Sequence, residues 1–449
     1  YWDLHYIPKV QMDEDEIKAT LIELLQEAVK IRMISDVPIG VFLSGGIDSS
    51  LVVALMAQYT HYPVKTFSIG FREKEFNELL YARLIANRYH TEHHEFIVEP
   101  DAVEILPKLI WHFDEPFGDS SAIPTYYVSQ MTSQYVKVAL NGDGGDESFA
   151  GYERYLGYKI VRYYRKIPLI IRRNGLGPLF KIGKEKRDKL PRMLRYLIFL
   201  NELSFESRED LYTRTMIMFK NDLKAELFTE DIGKTLESVD SLDYMRHYFY
   251  TDNAEHITDK MLYSDVMTYL PGDLLVKVDR MTMANGLEGR SPFLDHKLME
   301  FVATLPPEFK LRGTQLKWLL KQIGQPWLPK EILFRRKHGF GVPIGKWFRH
   351  ELREMVYDVL GSSCLVREGI FKKDTIHRIL QNHHTGKADH KYHIWLLLNL
   401  ELWYQTFIKR NYLGVSKQAL TTLRSSVLQQ SLPTFVGLLK QALALLRPK

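Results

Sequence analysis

The feature that most constrains the fold is a nearly unbroken apolar run, Val37–Leu43, that ends in a turn rich in glycine and serine. A short run without polar alternation is typical of a strand buried on both faces. Similar short runs at Val64–Phe71, Glu95–Val98 and Val136–Leu140 alternate with helical patterns. This alternation predicts an α/β fold with a doubly wound, mainly parallel sheet. The intervening helices are predicted over Leu51–Tyr59, Glu75–His90 and Ala102–Phe113.

Composition excludes several classes of protein. The chain has 449 residues, of which 45% are apolar and 26% charged, so it is long enough for two or three domains and is not mainly disordered. Its single cysteine, Cys364, excludes a disulfide framework and a Cys-rich metal site, and it fits a reducing, cytoplasmic compartment. No run of about 18 uncharged apolar residues is present, so no membrane-spanning helix is predicted.

Changes in the pattern of apolar and polar residues along the chain predict its domain boundaries. Asp13 and the acidic residues after it are typical of a helix start, and the pattern after about residue 150 is mostly helical. We expect a linker remnant (1–12), a nucleotide-binding α/β core (13–155), a largely helical C-terminal part (156–412) that includes the segments 279–295 and 335–343, and an amphipathic tail (413–449).

Positive charge is concentrated in the segment 159–195, which contains thirteen basic and two acidic residues. A basic stretch with tyrosines is compatible with binding RNA or an anionic membrane. We interpret it instead as a solvated helical surface, because charge runs are common on such faces. No nucleic-acid partner is therefore predicted.

The strongest chemical signal is the string Ser44-Gly45-Gly46-Ile47-Asp48-Ser49-Ser50, between a predicted strand and a predicted helix. Glycines let the backbone approach a phosphate closely, and the free N–H groups at a helix start attract anions. The Asp48 carboxylate would repel a phosphate unless a Mg²⁺ ion stood between them. An ordinary helix cap would explain a bare Gly-Gly pair but not the whole string. It is neither a Walker A motif nor a dinucleotide-binding fingerprint.

A second cluster, Gly142-Asp143-Gly144-Gly145-Asp146-Glu147, follows the strand predicted to end at Leu140. Ligands bind beyond the carboxyl ends of strands in such sheets, so both glycine turns are candidate ligand positions. Three carboxylates in five residues would repel one another without cations. From this spacing we assign metal binding to Asp146 and positioning or proton transfer to Asp143. The alternative is a solvent-exposed turn.

Two further segments are less specific by themselves. The segment Asp279–Asp295 reads as a polar turn that enters a helix. In it, Arg280 and Arg290 could form buried ion pairs with Asp279 and Glu288. In Arg335–Pro343, three cations precede a Gly-x-Gly turn that would fold over phosphates or form a basic surface loop. The histidines His90, His93 and His94 lack the spacing of a metal site and are expected to be ordinary polar residues.

Taken together and in this order, the four motifs resemble the synthetase domain of glutamine-dependent asparagine synthetases of the B type. The resemblance covers about residues 1–410 and includes Asp114-Glu115-Pro116, Asp119-Ser120-Ser121 and the helix Trp395–Trp403. The first string resembles the PP-loop of N-type ATP pyrophosphatases, which split ATP between its α and β phosphates. The resemblance is specific for the domain and less specific for the acceptor.

The resemblance implies a reaction. Aspartate would attack the α-phosphate of ATP, giving β-aspartyl-AMP and pyrophosphate, and ammonia would then displace AMP to give asparagine. Mg²⁺ would be held by Asp48 and Asp146, and the catalytic residues would be Lys337, Asp143 and Glu288. Asp143 stands where many relatives have Glu. The positions implied for ATP are Phe42, Ser44, Gly45, Gly46, Asp48, Ser49, Ser50, Ile69, Asn141, Gly142 and Gly144.

The family begins with a glutaminase domain whose nucleophile is an N-terminal cysteine, whereas residue 1 here is Tyr. We therefore expect a fragment that uses free ammonia, with glutamine as the source in the whole protein. The expected partners are small-molecule substrates and that missing domain, with a homodimer as one possible assembly. Alternatives are the same chemistry on another carboxylate, such as a polysaccharide sugar acid, a PP-loop enzyme that modifies tRNA, or a non-catalytic scaffold.

Overall fold

The computed structural model describes residues 2–98, 105–172, 211–336, 339 and 341–409. The chain divides into two compact units that interleave along the sequence. The first, here called the sheet unit, comprises Tyr1–Val98, Pro124–Thr215 and Met245–Gly341. The second, the helical unit, comprises Glu99–Ile123, Met216–Tyr244 and Val342–Lys449. The tail at 413–449 and most of the basic segment lie outside the described residues, and the boundary at 155/156 stays a prediction.

A five-stranded parallel sheet forms the centre of the sheet unit, with strand order β3-β2-β1-β4-β5. Its strands are β1 (Ile39–Phe42), β2 (Lys65–Phe71), β3 (Glu92–Val98), β4 (Val138–Leu140) and β5 (Glu288–Arg290). Because the strands are parallel, the connections between them cross the faces of the sheet. The predicted α/β fold with a mainly parallel sheet is confirmed.

The sequence pattern does not predict the fifth strand, because it indicates a polar turn entering a helix at the residues of β5. β5 is three residues long, lies at the sheet edge and carries an exposed Glu288, so it has no apolar run to reveal it. Its partner is β4, with Val138 opposite Glu288 and Leu140 opposite Arg290. Edge strands of this kind are specified by their neighbours more than by their own residues.

Helices cover the sheet, and the first is α1 (Glu14–Arg32), which begins at a capping box between Asp13 and Glu16. Helix α2 (Ile47–Tyr59) is buried nearly all round, as expected of a helix that is apolar on every face. The other helices labelled here are α2 (Ile47–Tyr59), α3 (Leu79–Arg88), α4 (Leu106–Phe113), α5 (Ala122–Thr132), α6 (Gly145–Phe149) and α7 (Glu153–Tyr164).

The remaining helices of the sheet unit follow residue 210. They are Leu211–Arg214, Ile257–Ser264, Val276–Met283, His296–Thr304, Pro307–Lys310, Trp318–Gly324 and Lys330–Leu333, with a π-helix at Asp265–Leu275 and a 3₁₀ turn at Pro292–Leu294. Helix Asp243–Phe249 crosses the boundary between the two units, as α5 does. A short antiparallel hairpin, β6 (Leu311–Arg312) and β7 (Gln315–Leu316), precedes Lys317.

Residues 2–12, which the sequence predicts to be a linker remnant, pack against the sheet unit. Leu4 and Tyr6 are buried, and the Tyr6 N–H donates to the Asn253 carbonyl at 3.0 Å. The Lys9 Nζ lies 2.7 Å from a carboxylate oxygen of Asp259, whose second oxygen is 2.8 Å from Lys310 Nζ. We call Lys9, Asp259 and Lys310 the anchor cluster, because it ties this segment to two helices.

The helical unit contains α4 and the helices Asn221–Leu227, Glu230–Leu236, Ile344–Trp347, Arg353–Gly361, Cys364–Arg367, Lys373–His384 and Lys391–Trp403. Helix Lys391–Trp403 is its buried centre, and its Glu401 carboxylate accepts the Cys364 N–H at 2.7 Å. Cys364 is free and buried, and burial raises the pKa of its thiol, as expected of a structural residue. Among the described residues, no helix is long and apolar enough to cross a membrane.

Candidate active site

The two glycine turns meet at one edge of the sheet, because β1 and β4 are adjacent parallel strands. A Cβ on Gly142 would lie 2.9 Å from Asp48 Cβ and 2.9 Å from Ser49 N. A Cβ on Gly145 would lie 2.6 Å from Asp48 Oδ1. The turns therefore pack directly against each other, and glycine is required at both positions.

The first turn leaves the start of α2 open to an anion. Gly45 has φ +69°, and a Cβ there would lie 2.6 Å from Ala82 N, so only glycine fits without strain. Gly46 is the N-cap of α2 and provides no side chain to satisfy the first N–H groups of the helix. The Ser44 and Ser49 hydroxyls lie 3.1 Å apart beside it. Helix starts of this kind bind phosphate groups.

Two carboxylates converge on one ammonium group where the turns meet. Lys317 Nζ lies 2.5 Å from Asp48 Oδ2 and 2.6 Å from Asp146 Oδ1. The three side chains, here called the site cluster, are 6–13% exposed. Asp48 Oδ1 is buried and accepts no hydrogen bond from the described residues. The cluster therefore carries one more carboxylate than ammonium group.

This donor set fits a divalent cation. Mg²⁺ prefers oxygen ligands and is usually bound by one or two carboxylates together with substrate phosphates. In the described part of the chain, no group of three or more His, Cys, Asp or Glu side chains is arranged to hold a metal. Asp48 and Asp146 would therefore be the protein's share of a magnesium site whose other ligands come from the nucleotide and water.

Sequence reasoning missed Lys317. It has no motif around it and is separated from Asp48 by 269 positions in the sequence. It has φ +51° at the start of helix Trp318–Gly324, directly after the β6–β7 hairpin. A Cβ on Gly151 would lie 2.2 Å from Lys317 Cε, so Gly151 leaves room for the lysine side chain.

Glu147, the third carboxylate of the second glycine turn, lies in an environment separate from the site cluster. Glu147 is buried and accepts a hydrogen bond from the Tyr152 hydroxyl. Burial, and next the charge of Asp146, raise the pKa of Glu147 to about 7. The Arg154 guanidinium stacks on the Tyr152 ring at 3.9 Å and donates to Asp265 at 2.6 Å. Sequence reasoning gave Glu147 no role, although it is the third acid of the string.

The positions implied for adenosine lie along the same edge. Phe42 ends β1 and is half-buried, and Ile69 lies in the neighbouring strand β2. Asn141 follows β4, and its Oδ1 accepts the Ser291 hydroxyl at 2.6 Å and the Asp143 N–H at 3.2 Å. Its buried Nδ2 and the Ser50 hydroxyl have no hydrogen-bond partner among the described residues. A buried donor without a partner fits a ligand acceptor.

Asp143 and Gly144 lie in the second turn. Gly144 has φ +91°, and a Cβ there would lie 2.3 Å from Leu294 Cδ2, so the turn requires glycine. Asp143 is half-buried. Asp143 therefore lies in the same turn as Asp146 of the site cluster, three residues before it in the sequence.

Glu288 does not join these residues. It begins β5 opposite Val138, about 7 Å of strand away from the end of the sheet where the turns lie. Its side chain is 56% exposed and pairs with Arg290 at 2.7 Å, so the buried ion pair expected from the sequence is a half-exposed one. The parallel register therefore places Glu288 at the strand end away from the turns, and its catalytic role stays a prediction.

The basic segment 335–343 begins at the first turn. Arg335 Nη1 donates to the Gly45 carbonyl at 3.2 Å, and its guanidinium pairs with Glu78 and lies 4.1 Å from the Tyr81 ring centre. Burial lowers the pKa of Arg335. Arg336 pairs with Glu153. Lys337, the residue implied to be catalytic, lies outside the described residues.

The histidines near β3 have ordinary hydrogen-bond partners. His93 Nδ1 lies 2.8 Å from the Thr66 hydroxyl, and its Nε2 lies 3.1 Å from Glu95. His94 Nε2 lies 3.0 Å from Glu92. Burial lowers the pKa of His93, so the ring is neutral near pH 7. These contacts agree with the interpretation that the residues are polar and structural.

Comparison with known proteins identifies the family. A family model described as asparagine synthase matches residues 20–405. Asparagine synthetase [glutamine-hydrolyzing] 1 of Bacillus subtilis (strain 168) is 32% identical over 414 residues, which are 92% of this chain and 63% of that protein. A putative asparagine synthetase [glutamine-hydrolyzing] of Mycobacterium bovis is 32% identical over 401 residues, covering 88% of this chain and 58% of that protein.

A more distant relative has a different name. Amidase chyE of Penicillium rubens is 27% identical over 386 residues, covering 77% of this chain and 56% of that protein. This chain therefore spans 63%, 58% and 56% of the lengths of these three relatives. The family match covers most of the chain and includes both glycine turns and Lys317. The chain therefore belongs to the asparagine synthase family.

Proposed function

We propose that this chain is an ATP-dependent amide-forming ligase that converts aspartate, ATP and ammonia into asparagine, AMP and pyrophosphate. The observation that carries the proposal is the site cluster, in which Asp48 and Asp146 converge beside an open helix start. Membership of the asparagine synthase family supports the reaction class. The names of two relatives support aspartate as the acceptor and glutamine as the nitrogen source.

In the proposed complex, the N–H groups at the start of α2 and the Ser44 and Ser49 hydroxyls bind the pyrophosphate part of ATP. Mg²⁺, held by Asp48 and Asp146, supplies positive charge that offsets the phosphate charges. Lys317 adds a further cation at the same place. The adenosine is proposed to lie along Phe42, Ile69, Asn141 and Gly142, where the Asn141 Nδ2 donates to none of the described residues.

The proposed first step joins a side-chain carboxylate oxygen of aspartate to the α-phosphorus of ATP. The bond between the α-phosphorus and the bridging oxygen breaks, and pyrophosphate leaves. In the second step the ammonia nitrogen attacks the acyl carbon, the bond from that carbon to the phosphate oxygen breaks, and AMP leaves. Asp143 is proposed to accept the proton lost from nitrogen, and Lys337 to stabilise the negative charge that develops.

Ammonia is proposed to come from glutamine in the whole protein, through a glutaminase domain of the kind that the relatives' names indicate. This chain alone is proposed to use free ammonia. A cytoplasmic location and a homodimer remain proposals of the same kind.

A second candidate is the same chemistry on another carboxylate, such as a sugar acid of a polysaccharide. Relatives named amidase, including chyE and chry2, favour a wider range of acceptors within the fold. The two candidates share the glycine turns, the site cluster and the adenylate intermediate. They differ only in the acceptor, so a single assay with several carboxylates separates them.

The test is pyrophosphate release by this chain with ATP, Mg²⁺ and ammonium, with and without aspartate. We expect aspartate-dependent pyrophosphate, with AMP and asparagine formed in equal amounts. Lys337→Ala should lower turnover by on the order of 100-fold, because it removes a group that stabilises developing charge. Lys330→Ala, a change at an exposed lysine of a nearby helix, is the matched control and should leave turnover unchanged.

Three results would contradict the proposal in different ways. Pyrophosphate release with a sugar acid but not with aspartate would replace the acceptor and keep the ligase class. ATP cleavage to ADP and phosphate, with no AMP, would exclude adenylation by this site. Equal activity of Lys337→Ala and Lys330→Ala would remove Lys337 from the mechanism.

A further inference from the structure

A cavity of about 340 Å³ in the sheet unit is lined by none of the active-site residues. Helix α7 and the residues just after it form one wall. The start of helix Ile257–Ser264 and the segment Pro307–Leu311 form the rest. This volume is in the range of sites for small molecules.

Three cations line the α7 wall. Lys159 and Arg162 are three residues apart on α7 and so share one helix face, and Lys166 lines the cavity from the turn that follows the helix. Arg162 and Lys166 are exposed and form no ion pair with any described residue. Glu308 is the carboxylate among the lining residues, so three positive charges face one negative charge. The excess of two positive charges matches a dianion.

One of these cations has a fixed position. Lys159 Nζ donates to the Gly313 carbonyl at 2.9 Å, in the turn between β6 and β7. A lysine held by one hydrogen bond keeps its other two N–H donors for a ligand. The Lys159 ammonium group is therefore oriented before any ligand binds.

The lining also has aromatic and neutral donor groups. Tyr158 and Tyr163 provide ring faces, and Lys166 Nζ lies 5.1 Å from the Tyr163 ring centre. His256 Nδ1 accepts the Thr258 N–H at 3.2 Å, and burial lowers the pKa of this imidazole. A neutral ring whose Nδ1 accepts carries its hydrogen on Nε2, which is then a donor. Such a lining suits a planar organic group joined to an anion.

We propose that this cavity binds a small organic phosphate, a phosphomonoester dianion with a planar organic group. The guanidinium of Arg162 and the ammonium groups of Lys159 and Lys166 suit phosphate oxygens, and the tyrosines suit the organic group. The concave shape and small volume favour a small molecule over a nucleic-acid strand or a membrane surface. The proposed site goes beyond the ligase reaction and does not depend on it.

The test uses phenyl phosphate as the probe and the whole 449-residue chain as the protein. Met261 lines the cavity and is buried, so its ¹³C-labelled methyl group reports binding by NMR, with Met261→Leu for assignment. We expect a saturable shift of this signal. The double variant Arg162→Ala/Lys166→Ala should weaken binding about tenfold or more, because it removes two unpaired cations. Phenol, which lacks the charge, should bind about tenfold more weakly than phenyl phosphate.

The matched control is Lys30→Ala, which removes an exposed cation at the end of α1, outside the cavity, and should not change the affinity. Thermal unfolding of all variants checks that the exposed changes leave the fold intact. Equal binding by the wild type and the double variant would overturn the proposal. An oligouridylate that displaces phenyl phosphate and binds more tightly with each added nucleotide would assign the cations to a nucleic acid instead.

Discussion

Two charge clusters of the sheet unit differ in composition and in the sign of their net charge. The anchor cluster has two lysines on one carboxylate, Asp259, and the ammonium groups also donate to backbone carbonyls. The site cluster has two carboxylates on one lysine, Lys317, and Asp48 Oδ1 accepts no hydrogen bond from the described residues. Each oxygen of Asp259 lies within 2.8 Å of an ammonium group, so the anchor cluster has surplus positive charge, whereas the site cluster has surplus negative charge.

This difference separates a structural charge from a functional one. A buried ion pair is stable when backbone groups satisfy its remaining donors, as the Ala303 and Leu305 carbonyls do for Lys9 at 3.0 and 3.1 Å. A buried carboxylate oxygen without a donor costs free energy unless a ligand satisfies it. The site cluster therefore has the properties of a binding site for a cation, and the anchor cluster has those of a structural support.

The largest effect is expected from removing the charge at the centre of the anchor cluster. Asp259→Asn leaves the buried ammonium group of Lys310 and the partly exposed one of Lys9 without a counter-charge, and we expect it to lower the free energy of unfolding by about 3–5 kcal/mol. Urea denaturation measures the loss. Glu27→Gln, at a half-exposed pair with Lys297, is the control and should cost at most about 1 kcal/mol. Equal losses would show that the anchor cluster is not structural.

The corresponding change in the site cluster should affect activity and not folding. Asp48→Asn removes a proposed metal ligand, and we expect pyrophosphate release to fall on the order of 100-fold. The fold should survive, because Lys317 keeps Asp146 as its partner. Asp36→Asn, at an exposed position, should leave turnover unchanged. Unchanged turnover in Asp48→Asn, measured under saturating ATP and Mg²⁺, would contradict the assignment.

Removing the lysine of each cluster should separate the two by their response to magnesium. Lys317→Met leaves two converging carboxylates without a cation, and we expect a loss of about 1.5–3 kcal/mol in unfolding free energy without Mg²⁺. Added Mg²⁺ should restore part of that loss by taking the place of the ammonium group. Thermal unfolding with and without Mg²⁺ measures it.

The control for that experiment is Lys310→Met, which removes a lysine from the anchor cluster. Its stability should not respond to Mg²⁺, because one carboxylate and Lys9 remain there. The same magnesium response in both variants, or none in Lys317→Met, would show that the site cluster does not bind the ion.

The smallest effect expected is a dependence of stability on pH. Burial lowers the pKa of Lys310 from 10.5 to about 8, partly offset by Asp259. Between these two pKa values the unfolded chain binds more protons than the folded chain. The free-energy cost of burying charged Lys310 is therefore at its maximum below pH 8 and decreases as the pH rises toward 10.5. We expect stability to gain at most about 1.4 kcal/mol per pH unit from this group. Lys310→Met should lose that gain, and an identical pH profile would contradict the shift.

Local chemistry explains what could be predicted from the sequence. The runs that form β1 and β2, the two glycine turns and the pair Asp48 and Asp146 are each recognisable within a few residues. The parallel sheet followed from the alternation of strands and helices, and it placed both turns at one edge. The convergence of Asp48 and Asp146 is therefore a consequence of sheet topology that short segments specify.

Contacts between distant segments explain what was missed. Glu288 looked plausible by motif, but the register of β5 against β4 places it at the opposite strand end. Lys317 had no motif, because a lysine before an apolar helix is common in any protein. The contact from Arg335 to the Gly45 carbonyl likewise joins segments 290 positions apart.

The sequence by itself determined the local elements of the site. A strand, a glycine turn and a helix follow one another twice along the chain, and each turn carries an acidic residue. Only the tertiary structure decided that Lys317 forms ion pairs with both Asp48 and Asp146, and that Glu288 lies at the strand end away from the turns. The reason is physical. Backbone preferences and hydrophobic periodicity act over a few residues, whereas a buried charge finds its partner through packing across the whole unit.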